Sequence, residues 1–375
     1  LVVVGQRGIG SSTPNTACGG YAREALHERV SDEESAAAIS AGCKRCRETW
    51  EEKGLDLSGF NVIEAAGDVI DVANALGYGE IQLIGNSFGS HWGMTIMRMH
   101  PERVARAVLS GLEGPNHTYD MPSHVLAALE RIAAAADADE ALAEHIPQSG
   151  LIESFRAAAA RLDEEPEVVE LGTFKILVDG RRLRQVALGT TNRTSSRRGM
   201  RTWPADLIQI ANGDLRAVAR MAMRRNMGAL LPTASFFSLD CGSGISPGRL
   251  AELRADPAVA VLGKAEPIYE AACPEWGSDL GDAFRASFET DIPTVLVHGT
   301  WDTSTPLENA LELAPYFTKG HLVLVEGGSH GAVGEAMAHE PAFREMLETF
   351  VRTGSTEGLA ESIELPPIRW SVPEG

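Results

Sequence analysis

Apolar positions in this chain follow two rhythms, short continuous runs and a recurrence near 3.6 residues, and the two alternate at both ends of the sequence. Leu1-Val2-Val3-Val4 is a β-branched run and predicts a short buried strand, followed by the turn-rich loop Gly5 to Ser12. Tyr21 to Lys53 is polar and helix-prone. Asn61 can cap a helix that has Glu64 three residues on. Val62, Ile63, Ala66, Val69, Ile70, Ala73 and Leu76 then recur at helical spacing, and Gly77 is placed to end the helix. Ile81 to Ile84 predicts a strand, His91 to His100 a helix stopped by Pro101, and Val104 to Leu109 another strand. Such alternation predicts a parallel sheet covered by helices. From about Pro115 to Asp291 it stops, and Ala-rich helical stretches take over: Val125 to Ala136, Glu140 to His145, Ile152 to Leu162 and Pro204 to Met227. It resumes at Pro293 to Gly299, an apolar run of the kind buried in a parallel sheet. A helix over Leu307 to Leu313, a strand over His321 to Val325, a helix from about Glu335 to Arg352 and a loosely packed tail beyond Gly354 complete the pattern. The fold class is α/β, a parallel sheet flanked by helices and interrupted by one long helical insertion.

Composition adds limits. The 375 residues, 44% hydrophobic and 23% charged, fit an ordinary globular chain with room for one large core or a core and an insertion. No apolar run reaches the ~18 residues of a membrane span. A net charge of −19 argues against nucleic acid and against an anionic membrane surface. Arg181, Arg182, Arg184, Arg193, Arg197, Arg198 and Arg201 form a local basic patch, read first as a solvated surface and second as a contact for an acidic substrate group. Cys43 and Cys46 have CxxC spacing, but no second pair completes a zinc site, and no strand precedes them as a thioredoxin-like motif requires. Disulfides with one cysteine left over are the better reading; an oxidising compartment, secreted or periplasmic, is then favoured. Because the chain opens directly on an apolar run, the numbering is expected to start inside a longer protein.

The chemistry centres on Gly85-Asn86-Ser87-Phe88-Gly89, set between an apolar run and a helix-length segment. Strand, sharp turn and helix are the setting in which such a serine is presented as a nucleophile. Gly85 and Gly89 are expected to leave room where strand and helix fold back on each other. A serine hydroxyl needs a base, and the base needs an orienting carboxylate. Asp302, in Thr300-Trp301-Asp302-Thr303, and His330, in Gly327-Gly328-Ser329-His330-Gly331, follow later strands in the required order. His27, His100, His124, His145 and His339, in helical or surface stretches, read as ordinary, His298 as a satisfied core residue, and His91 as pointing along the helix after Ser87. Acyl transfer follows, with the Phe88 backbone amide as one oxyanion donor.

The chain resembles the α/β-hydrolase branch that contains prolyl aminopeptidases and secreted bacterial tripeptidyl-aminopeptidase-like proteins. The matching residues are Gln6-Arg7-Gly8-Ile9-Gly10-Ser11-Ser12, Arg45-Cys46-Arg47-Glu48-Thr49-Trp50, Asp56 to Asn61, the Ser87 turn, Met99 to Val104, Cys241 with Cys273-Pro274-Glu275-Trp276, and Gly299-Thr300-Trp301-Asp302. The resemblance implies a helical cap over the active site, spanning 115–291 between core segments 1–114 and 292–375. It implies no metal and no organic cofactor, and it suggests Cys18–Cys46 and Cys241–Cys273 as disulfides with Cys43 free. Gly5 stands where the family usually has Asp, and the Gly-rich segment carrying the second oxyanion donor would lie upstream of Leu1.

An aminopeptidase must hold a free ammonium against carboxylates in a partly desolvated pocket. Glu113, leaving a strand at the ligand-binding edge, and Asp120, at the entrance to the insertion, are the candidates, beside local hydrogen-bonding roles at a hinge. Trp301, Trp92 and Phe88 are candidates for an acyl pocket, with core packing as the default reading for an aromatic beside such a turn. The expected function is therefore a serine hydrolase of the aminopeptidase type acting on a short peptide or other small molecule. The alternatives are a carboxylesterase or lactonase and, more remotely, a non-catalytic binding protein. A monomer or homodimer is expected.

Overall fold

Five strands carry the fold. In the computed structural model, which describes residues 1–20, 23–188, 193–227, 232–263 and 267–373, β1 (Ile81–Asn86), β2 (Val104–Ser110), β5 (Thr294–Gly299), β6 (Gly320–Glu326) and β7 (Ser362–Glu364) form one sheet in the order β1-β2-β5-β6-β7. Every pairing in it is parallel. β5 is central and buried at every residue, which is why its sequence runs apolar instead of alternating. Leu296 packs into a cluster with Ile70, Met94, Leu109 and Ala310 on one face. Val295 and Val297 pack on the other face with Ala336, Phe343, Leu347 and Phe350. The helices Val62–Ala75, Phe88–Met99 and Leu307–Leu313 thus cover one side, and Ala332–His339 and Pro341–Thr353 the other. Because the strands are parallel, their C-terminal ends share one edge of the sheet, and the loops leaving β1, β2, β5 and β6 meet there.

Several predicted elements form as expected. The helix Val62–Ala75 starts at Asn61, whose side chain accepts from the Glu64 amide, and Gly77 follows it at φ 76°. Others differ. Leu1 to Val4 forms no strand: it joins no ladder, and Leu1 and Val3 are fully or nearly fully exposed. In the stretch from Tyr21, which itself lies outside the described residues, the helix is confined to Asp32–Glu52, set by a capping box between Ser31 and Glu34. The last helix is two helices, because Pro341 pushes Glu340 out of helical geometry to φ −123°, ψ 95°. The tail is not loose. β7 pairs with β6, and Leu359, Ile363, Leu365, Ile368 and Trp370 are buried.

Between β2 and β5 the structure is mostly helical, with its own core built on Leu129, Ile132, Phe155, Leu162, Leu183, Trp203 and Leu207. Glu140 to His145 forms turns, not a helix, and the Pro204 to Met227 stretch divides at Asn212-Gly213-Asp214. A hairpin that the helical reading missed, β3 (Glu167–Leu171) with β4 (Phe174–Val178), closes through a two-residue loop opened by Gly172 at φ 62°. Among the described residues, the basic patch is a solvated face only at Arg198 and Arg201, which are exposed. Arg181 pairs with Glu24 and Asp32, and Arg184 with Asp163. Arg182 is buried and donates to the Ala25, Leu26, Leu177 and Glu28 carbonyls. Arg197 donates to the Gly327 and Pro366 carbonyls; the Arg193 side chain lies outside the described residues. Disulfides join Cys18 to Cys46 and Cys241 to Cys273, as the resemblance suggested. Cys43 is free and buried, and burial pushes its thiol up to about 12.

Candidate active site

Ser87 sits between β1 and the helix Phe88–Met99 at φ 58°, ψ −129°, and it is the one non-glycine residue with positive φ among those described. Such a conformation is strained for an L-residue and persists only where the surroundings impose it. They do so here: the Ser87 amide donates to the Ser110 carbonyl at 3.0 Å, and the Ser87 carbonyl accepts from the Ser90 amide and hydroxyl at 2.7 Å each. Gly85 is required, since a Cβ there would lie 2.2 Å from the Gly89 carbonyl oxygen. Gly89 is not required for space, because a Cβ on it would meet nothing within 4 Å. Phe88 opens the helix, so its amide belongs to the first-turn donors that have no partner within the helix.

Asp302 lies in the loop after β5 and is fully buried. Its carboxylate accepts from the Ser304 and Thr305 amides at 2.8 and 3.0 Å, from the Thr305 hydroxyl at 2.9 Å, and from His330 Nδ1 at 2.9 Å. Burial alone would raise its pKa, but the hydrogen bond and charge of His330 hold it below the usual range. His330 is affected in the opposite sense: burial would lower the ring, and the bond to Asp302 raises it above its ordinary value. Nδ1–H is therefore committed to Asp302, and Nε2 is left as the basic nitrogen. The two loops meet closely, for a Cβ on Gly299 would lie 2.4 Å from the carbonyl oxygens of both Gly328 and Ser329. Glu335 anchors the His330 loop by accepting from the Ser329 amide and hydroxyl. The ring reaches the Ser87 side of the edge: a Cβ on Gly111, next to the Ser110 that holds Ser87, would lie 3.0 Å from His330 Cε1.

A cavity of about 270 Å³ opens at Ser87. Phe88, Glu113, Asp120 and Thr305 line it, joined by Gln6, Ile9 and, from the helical segment, Phe236, Leu239, Asp240 and Tyr269. Glu113 and Asp120 are thus both brought to Ser87. The Glu113 amide donates to Ser90 Oγ at 2.9 Å, and Asp120 accepts from Asn309 Nδ2 at 3.3 Å. Trp301 is not brought there. It stacks on Trp370 and packs against the core of the helical segment, outside the cavity lining. Trp92 is also outside the lining and packs among core residues.

Sequence reading missed Asp240, Tyr269 and Thr305. Asp240 is buried, accepts from the Tyr269 hydroxyl at 2.7 Å, and is pushed up to about 7 by burial, with the tyrosine bond opposing. Its only sequence signal was its position beside Cys241. Thr305 stood in the Thr-Ser-Thr-Pro run after Asp302, where a hydroxyl able to reach back to the carboxylate could have been considered. His91 is buried, engages Ser243 Oγ at 2.9 Å and the Gly114 carbonyl at 3.1 Å, and is lowered to about 4 by burial. It ties the helix after Ser87 to the helical segment. Among the described residues, no group of three His, Cys, Asp or Glu is arranged to hold a metal ion.

Residues 261–362 match the family of TAP-like proteins. No curated protein matches the chain in sequence. Among solved structures, similarity is found to a serine hydrolase from Cycloclasticus zankles (14% identity, 92% of this chain and 77% of that one, TM-score 0.35). It is also found to a meta-cleavage product hydrolase from Pseudomonas fluorescens IP01 (15% identity, 79% and 73%, TM-score 0.34). An esterase from Rhodococcus sp. ECU1013 is similar at 18% identity over 80% and 75%, with a TM-score of 0.32.

Proposed function

From the premise that this chain is an α/β-hydrolase of the TAP-like branch, we propose that it is a serine hydrolase releasing amino acids or short peptides from free N-termini. Ser87 is the nucleophile, His330 the base and Asp302 its orienter. As Ser87 Oγ attacks the substrate carbonyl, its proton passes to His330 Nε2, and the Phe88 amide donates to the developing oxyanion. Collapse expels the amine, which takes the proton from His330 and leaves an acyl-enzyme. Water then attacks the ester carbonyl, gives a proton to His330, and releases the acid as the proton returns to Ser87. The residues between β2 and β5 serve as the cap, closing the cavity with Leu239, Asp240 and Tyr269.

The observation that carries the peptide reading is the three carboxyl groups, Glu113, Asp120 and Asp240, on one cavity wall system with Ser87. Carboxylates in a desolvated pocket favour an ammonium and disfavour a neutral or acylated end. A second reading, a carboxylesterase or lactonase, draws on the apolar remainder of the same lining, Ile9, Phe88, Phe236 and Leu239. The test is hydrolysis of an Ala- or Pro-containing peptide anilide with its amine free or acetylated, beside a short-chain nitrophenyl ester, with Ser87→Ala as the blank. Free-amine cleavage that vanishes on acetylation supports the aminopeptidase. Ester cleavage alone replaces it with the second reading. Unchanged KM for the free-amine substrate in Glu113→Gln removes Glu113 as the amine contact.

A further inference from the structure

His298 looks like a satisfied core histidine, and its partners are what make it informative. It is fully buried at the C-terminal end of β5. Its Nδ1 accepts from the Leu112 amide at 3.1 Å, and its Nε2 lies 2.9 Å from the Thr305 carbonyl oxygen. An amide can only donate and a carbonyl can only accept, so the ring is fixed as the neutral Nε2–H tautomer. A proton on Nδ1 would face the Leu112 N–H directly, and burial further lowers the ring's basicity.

The two groups it joins belong to opposite halves of the site. Leu112 follows Gly111, whose Cα faces the His330 ring, and precedes Glu113, whose amide is held by Ser90 in the first turn of the helix after Ser87. Thr305 closes the Asp302 loop, and its hydroxyl bonds Asp302 Oδ2 and meets His330 Nδ1 at 3.2 Å. We propose that His298 is a positioning residue: a neutral imidazole strut that sets the spacing between the Ser87 side of the site and the Asp302–His330 pair. Its neutrality matters as much as its shape. His298 Nε2 is 3.9 Å from Asp302 Oδ2, so a charged ring there would compete with His330 for the one carboxylate. The inference rests on Ser87, His330 and Asp302 acting together as proposed above.

The test uses the whole protein. Hydrolysis of a nitrophenyl ester, which needs no amine recognition, is measured across pH for wild type, His298→Leu, His298→Gln and Ser87→Ala. In His298→Leu, kcat is expected to fall about tenfold to a hundredfold, with KM within about twofold and the acid-side inflection displaced. His298→Gln, whose amide keeps a donor and an acceptor, should recover most of the loss. A folded His298→Leu enzyme with wild-type kcat and inflection overturns the proposal, as does a Gln variant as impaired as Leu with the inflection unmoved. Should the Leu variant not fold, the ¹⁵N imidazole spectrum of the wild type decides. His298 must appear as neutral Nε2–H throughout the pH range in which the ester is hydrolysed, and a charged or Nδ1–H ring refutes the strut. Hydrolysis that survives Ser87→Ala refutes the reading of the reaction instead, whatever the tautomer.

Discussion

Two buried aspartates lie near the Ser87 cavity, Asp302 in the loop after β5 behind the lining residues Ser304 and Thr305 and Asp240 in the cavity wall from the helix Ala234–Ser243, and they meet opposite fates. Asp302 and Asp240 are both buried. The first is held below the ordinary carboxylate range and the second is pushed up to about 7. Burial acts on both in the same direction. What separates them is the partner: the hydrogen bond and charge of His330, joined by two backbone amides and a hydroxyl, act on Asp302, whereas Asp240 has the Tyr269 hydroxyl. A carboxylate that must stay charged is built into a nest of donors. One that is left short of them is pushed toward its neutral form, and on the proposed function a substrate ammonium would restore its charge.

The sharpest way to break the contrast is to neutralise the charged member. Asp302→Asn should lower kcat by about ten-thousandfold on any substrate, since the His330 tautomer and its imidazolium both lose their support. The same change should move the acid-side inflection of kcat/KM downward. Wild-type His330 is raised by Asp302, so the rate climbs as pH rises through a value above the ordinary 6.5; without the carboxylate that climb comes earlier. Steady-state pH profiles check both effects.

Asp240→Asn addresses the other member. On the proposed function it should raise KM for a free-amine anilide by about tenfold to a hundredfold, the worth of one hydrogen bond to a charged group, and leave a nitrophenyl ester within about twofold. Equal losses on both substrates would mean that Asp240 supports the wall without reading charge.

How much of this contrast was legible beforehand depends on which chemistry each residue advertises. Ser87, Asp302 and His330 stand at the ends of apolar runs, and the elements around them formed where the hydrophobic pattern put them. Asp240 and Tyr269 come from two helices that the suggested Cys241–Cys273 pairing brings together, but no motif or spacing in the sequence marks these two side chains as partners. The arginine patch was read only in part for the same reason. Arg182 and Arg197 look like surface charge until the backbone carbonyls they serve are brought to them from far along the chain. Trp301 was misplaced because its partner, Trp370, belongs to a tail read as loose.

Thr305→Val sharpens the comparison on a smaller scale by removing one donor from Asp302. About a tenfold drop in kcat is expected, with KM unchanged, and a drop as large as that of Asp302→Asn would give the hydroxyl a role beyond this hydrogen bond. Smallest of all is the pH response of amine binding. Asp240 is neutral below about 7 and charged above it, so KM for a free-amine substrate should fall as pH rises through that value, and Tyr269→Phe should carry the midpoint higher.

The Cys241–Cys273 bond gives the wall of the cavity a dependence that the reacting groups do not share. Cys241 is the neighbour of Asp240, and Cys273 lies one turn beyond Tyr269 in the helix Pro267–Trp276, so the crosslink holds together the two helices whose side chains meet across the Asp240–Tyr269 hydrogen bond. Ser87, Asp302 and His330 are held by the sheet and its loops, with no cysteine among their partners. On the proposed function, thiol reductants would therefore loosen discrimination between substrates while sparing bond cleavage itself, so that the oxidation state of the surroundings would tune how choosy the enzyme is and leave how fast it can turn over to the sheet.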